Sequence, residues 1–164
     1  MDTTQINREL IISSDVSEVN IVLLEDGQLV EYHKEQKNNS ISVGDVYFGR
    51  IKKMLPGLNS AFVDIGCRKD AFLHYLDLGP QIKSLKKFTK LAVEGHTSQL
   101  GLDSFELEKD IDKNGKITDF ISVGERIPVQ IAKEPINTKG RRITADLSFA
   151  GRYIVLVPFS NRIS

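Results

Sequence analysis

Cys67 is the only cysteine in a chain of 164 residues. That excludes an internal disulfide framework and a metal site built from several thiolates, and it suits a reducing, cytoplasmic setting. An excess of one charge is also lacking. The 22 Lys and Arg offset the 22 Asp and Glu, so net charge points to no polyanionic partner and only local patches bear on that question. No apolar run nears the roughly 18 residues of a membrane span, and the opening "MDTTQINREL" lacks the charged-then-apolar pattern of a signal peptide. The expectation is a soluble cytoplasmic protein without a membrane partner. Catalytic signatures are missing too. His33, His74 and His96 are scattered, and no HExxH, nucleophile-elbow or P-loop pattern occurs. Asp64 and Asp70 flank one turn as ordinary strand-end carboxylates, so no catalytic or metal-ligating residue is assigned.

Short strands are plentiful. "VNIVLLE" and "QLVEYHK" flank Asp26-Gly27, a pair suited to a two-residue type I′ turn. The polar "KEQKNNSIS" then marks a boundary, placing an N-terminal β-hairpin in residues 1–38. From Val43 onward "DVYFGRIKKML", "SAFVDIG", "DAFLHYL", "RIPVQIAKE" and "RRITADLS" are five strands at OB-fold lengths and spacings. They predict a mainly β fold, with an OB-type barrel over 39–148 and a long, partly helical insertion at about 79–121. Residues 149–164 read as a strand that runs on toward parts absent from this sequence.

The strands at 60–65 and 70–75 share an oddity. With period two, Ala61, Val63 and Ile65 fall on one face and Phe62 on the other, beside Ser60 and Asp64. The next strand repeats it, with Phe72 between Asp70 and His74. A register error of one residue would make both rings core. Both strands give the same parity, however, and the opposite face is apolar in both. In the first barrel strand, Phe48, Arg50 and Lys52 also share a face. Rings beside cations on an OB-type sheet form a platform for unpaired bases. Three basic clusters occur, at 50–53, 83–90 and 137–142. The last lies in a loop between two barrel strands, where Lys139 is a candidate phosphate contact. The same face, or the charged insertion, would alternatively serve a protein-interaction module.

One stretch imitates a calcium loop. "DIDKNGKITDFI" puts Asp110, Asp112 and Asn114 at positions 1, 3 and 5 and Gly115 at position 6. Ile121 stands where the bidentate glutamate belongs, so the stretch is read as an Asn-Gly turn in a polar loop.

Taken together, "VGDVYFGRIKKMLPGLNSAFVDIGCRKDAFLH" and "VGERIPVQIAKEPINTKGRRITADLSFAGRYIVLVP" resemble the amino-terminal part of the ribonuclease E/G family, bacterial endoribonucleases of RNA decay and ribosomal RNA maturation. "ELIISS…VNIVLLEDGQLVEYH" resembles that family's opening hairpin. The resemblance implies an S1 domain, an OB-type barrel, set within an RNase H-like subdomain that contributes the hairpin. It also implies single-stranded RNA as partner, with Phe62, Phe72, Lys133 and Lys139 holding the strand. Mg²⁺ for hydrolysis, structural Zn²⁺ and homo-oligomers are implied for the full-length family member, with none of those metal ligands in this segment. Ile65 departs from the pattern, since some relatives carry an aromatic there.

Overall fold

The computed structural model describes residues 6–36, 41–96, 101, 105–134 and 140–160. The chain divides into two compact units, Met1–Ile41 and Ser42–Ser164. In the first, β1 (Arg8–Ser14), β2 (Glu18–Glu25) and β3 (Gln28–Gln36) form an antiparallel sheet in the order β1-β2-β3. The expected hairpin is therefore two strands of a three-stranded sheet. Asp26 and Gly27 join β2 to β3 with φ of 49° and 76°, the left-handed pair that a type I′ turn requires. Asp15 makes the other turn, its carboxylate accepting from the Ser17 and Glu18 amides at 2.8 and 2.9 Å.

The second unit is built on a closed barrel. Its strands are β4 (Val46–Leu55), β5 (Ser60–Asp64), β6 (Ala71–His74), β7 (Arg126–Lys133) and β8 (Arg142–Thr144), in the order β4-β5-β6-β8-β7 with β7 returning to β4. Every pairing is antiparallel except β6 with β8. The fold class expected from the sequence is thus present: a mainly β chain with a closed five-stranded OB-type barrel and a partly helical insertion. Inward residues alternate along each strand. Ile51, Ala61, Val63, Ala71, Leu73, Ile127, Val129, Ile131 and Ile143 are each at most 1% exposed. At Gly49 a Cβ would come within 2.6 Å of Val63 Cγ1, so glycine is what lets β4 cross the tightly packed interior.

The insertion supplies a cover for the barrel core. Helix α1 (Ile82–Val93) buries Ile82, Ser84 and Leu85. The calcium-loop lookalike has a structural task here. Ile117 and Ile121 are 0% and 2% exposed, and the Asp112 carboxylate accepts from the Asn114 amide at 2.8 Å in a local turn. Asn59, left-handed after the short 3₁₀ turn Pro56–Leu58, fixes this stretch from below. Its side chain donates to the Gly115 carbonyl at 3.0 Å and accepts from the Ile117 amide at 2.7 Å. The Tyr75 hydroxyl donates to the Asp112 carbonyl. Buried Gln130 is satisfied through Gly44 and Ser148, as a polar group in a core must be. Past the barrel, β9 (Phe149–Ala150) and β10 (Val155–Leu156) form a small hairpin. Among the described residues no helix is long and apolar enough to cross a membrane.

Candidate nucleic-acid interface

Phe62 and Phe72 lie on the outer face of the barrel, half-buried, each between two inward residues that are fully buried. They are direct cross-strand partners, with ring centroids 6.2 Å apart and planes inclined by 70°. The edge-to-face contact lets each ring cover part of the other, which makes an outward aromatic pair tolerable without a ligand.

Strand register extends this pair into a row. Lys53 pairs with Phe62 across β4–β5, Phe72 pairs with Arg142 across β6–β8, and Arg142 pairs with Lys133 across β7–β8. Cross-strand partners share a face. The outer surface therefore reads Lys53, Phe62, Phe72, Arg142, Lys133 around the barrel, two rings bracketed by cations. A bulge in β4 explains why Lys53 belongs to the row. The register shifts between Ile51 and Lys53, so Lys52 is the extra residue and both lysines are exposed. Their surroundings differ. Lys52 Nζ is 3.0 Å from Asp70 Oδ1, and hydrogen bonding to that carboxylate raises its pKa above the usual lysine value. Lys53 has no ion-pair partner among the described residues.

Arg142 is held rigidly. Its Nε and Nη2 donate to the two Asp77 carboxylate oxygens at 2.9 Å each, a fork-on-fork contact that raises the guanidinium pKa further. The Asp77 carbonyl meanwhile accepts from Thr144 Oγ1 and the Ala145 amide, both at 2.8 Å. Lys133 ends β7 and is exposed. Lys139 lies outside the described residues. The described residues resume at Gly140, where a Cβ would collide with the Asp70 carbonyl oxygen. Only glycine allows this approach, which lets the Arg141 carbonyl accept from the Phe72 amide at 2.8 Å.

Phe48 and Arg50 fall outside the row. Arg50 lies opposite Asp64 on β5 and Arg126 on β7. Phe48, 47% exposed, pairs with Pro128. It lines an apolar groove of about 970 Å³ together with Phe88, Phe105, Phe149 and Phe159. Three of those rings, Phe88, Phe105 and Phe159, touch one another at 5.5–5.6 Å. Sequence reasoning missed Lys53 and Arg142 as neighbours of the rings. Two adjacent lysines within one strand were the available hint, because strict alternation cannot expose both. Among the described residues no three His, Cys, Asp or Glu side chains assemble as a metal site.

No family model matches the chain. Among curated proteins, ribonuclease G of Haemophilus influenzae is 34% identical over 155 residues, which is 94% of this chain and 28% of the relative. Ribonuclease G of Escherichia coli K12 is 32% identical over the same shares. Ribonuclease E of Synechocystis is 32% identical over 126 residues, 76% of this chain and 15% of the relative. The chain thus spans less than a third of the length of the ribonuclease G relatives it matches.

Proposed function

The chain belongs to the ribonuclease E/G family, and we propose that its barrel is the S1 module holding single-stranded RNA for an endoribonuclease of RNA processing and decay. The observation that carries this reading is the row Lys53, Phe62, Phe72, Arg142, Lys133. Rings offer faces to bases without reading sequence, and cations on either side meet the phosphates. The inclination of 70° between the rings favours an unpaired strand, since two bases stacked on them are splayed apart and cannot remain in a continuous duplex stack. Lys139, which lies outside the described residues, is assigned a further phosphate contact on the family resemblance. Hydrolysis with Mg²⁺, a structural Zn²⁺ and homo-oligomer assembly belong in this reading to parts of the family's chain outside the matched stretch. The setting is the cytoplasm, with ribosomal RNA precursors among the substrates. This stretch binds and does not cut.

The test is fluorescence anisotropy of a labelled single-stranded RNA of about a dozen nucleotides, at several salt concentrations with Mg²⁺ present. Phe62→Ala, Phe72→Ala together are expected to weaken binding by at least about tenfold, given ~1–3 kcal/mol per stacked base, while the RNA stays intact on a gel. Undiminished binding by the double variant would overturn the reading. The apolar groove beside α1 supports a second reading, a protein-docking surface. A partner seated there would bind with little dependence on salt, whereas the RNA row loses affinity steeply as salt rises.

A further inference from the structure

Two arginines face each other directly across the barrel seam. Arg50 on β4 and Arg126 on β7 are antiparallel partners, and both are exposed. Like charges directly opposite on one face disfavour the pairing of the strands that carry them. Neither guanidinium has an ion-pair partner among the described residues. The nearest candidate in the ladder, Asp64 opposite Arg50 on β5, accepts instead from the Gly66 amide at 2.9 Å. The fold thus sets two cations at facing positions, with no ion-paired anion among the described residues.

Their position relative to the rings follows from the register. Arg50 is level with Asp64 and Lys53 is level with Phe62. The arginine pair therefore lies two β5 residues, about 7 Å, along the strands from the ring row. Lys53 stands on β4 at the ring row and Lys52 between the two levels. That spacing suits the phosphate following or preceding a base stacked on Phe62.

We propose that Arg50 and Arg126 form a second phosphate seat, which takes a backbone phosphate of the same RNA strand and carries its path from the ring row across the β4–β7 seam. The inference rests on the RNA-binding reading above and adds a contact and a direction to it. An anion between the two guanidinium groups accepts from both, so binding relieves the repulsion that the free protein tolerates. Arg126 then has two opposed effects, weakening the free fold and strengthening the complex.

The experiment pairs RNA anisotropy over a salt series with thermal unfolding of the free protein, for the full chain. In Arg126→Gln the slope of log affinity against log salt is expected to fall by about one unit. The unfolding midpoint of the free protein should rise at low salt and merge with wild type at high salt, where screening removes the repulsion. Arg126→Lys should keep the wild-type slope, and Arg50→Gln should repeat the Arg126→Gln result independently. A slope in Arg126→Gln equal to wild type, with binding still dependent on Phe62 and Phe72, would overturn the second seat and leave the first standing. Binding that is indifferent to the two rings would instead sink the RNA-platform reading itself.

Discussion

Lys52 and Lys53 are neighbours with the same chemistry and different surroundings, and the contrast is set by one extra residue in β4. Lys52 is engaged by Asp70 at 3.0 Å, an exposed pair of the kind that contributes between about 0 and 1 kcal/mol to stability. To meet a phosphate it must first leave that carboxylate. Lys53 stands opposite Phe62 with no ion-pair partner among the described residues. Lys53→Ala is therefore expected to lower the salt slope of RNA binding by about one unit and Lys52→Ala by distinctly less, measured by anisotropy over a salt series. Equal effects would mean that the bulge does not sort the two side chains. Arg142 is a third case. Its fork is already fixed by both Asp77 oxygens, so it meets a ligand without the loss of side-chain freedom that a mobile lysine suffers.

Among the elements, the insertion shows how a polar, loop-like sequence gains a structural task. Its residues 110–121 have the spacing of a metal loop, yet side chains of the barrel unit hold them, Tyr75 at Asp112 and Asn59 of the β4–β5 connection at Gly115 and Ile117. Asn59 supplies both a donor and an acceptor to them and itself adopts φ of 47°. Asn59→Ala would lose both bonds and force alanine into the left-handed region, a cost of roughly 1–3 kcal/mol. Asn59→Gly would lose the bonds while relieving the backbone. Amide hydrogen exchange should then show faster opening around 115–121 in both variants, with Asn59→Ala also lowering the unfolding midpoint more. Protection unchanged at 115–121 would mean that Ile117 and Ile121 hold the insertion by packing alone. The row of rings and cations is likewise a property of elements, since it exists only because β6 pairs in parallel with β8 and brings Phe72 level with Arg142.

For the molecule as a whole, the two compact units differ in what they bury. Strands β1 and β3 are exposed along their whole lengths, and Leu10 and Ile12 are each 62% exposed. Among the described residues, every buried core side chain belongs to the barrel unit. A fragment of residues 42–164 is accordingly expected to unfold cooperatively and to keep ring-dependent RNA binding, as circular dichroism and anisotropy would report. Loss of cooperative unfolding in that fragment would show that the barrel needs the first unit for its stability.

Much of this was legible in the sequence because it depends on local chemistry. Alternation in "SAFVDIG" and "DAFLHYL" assigns Phe62 and Phe72 a face, since successive side chains in a strand must point to opposite sides. Asp26-Gly27 specifies its turn because few other residues adopt the required φ angles. The Lys53–Phe62 pairing, the Arg50–Arg126 pairing and the Asp77 grip on Arg142 were hidden. Each joins residues far apart in the chain through a strand register, and register is decided by the closure of the whole barrel rather than by any segment. Even the bulge at Lys52 is a tertiary event, the local slip that lets one strand pair with two neighbours. Barrel strands, the Asp26-Gly27 turn and the inward face of each barrel strand follow from the residues alone, because backbone sterics and hydrophobic periodicity act over a few positions. The burial of Ile117 and Ile121, and which charges stand beside which rings, follow from the fold, because they are set by how five strands close on one another and what covers them.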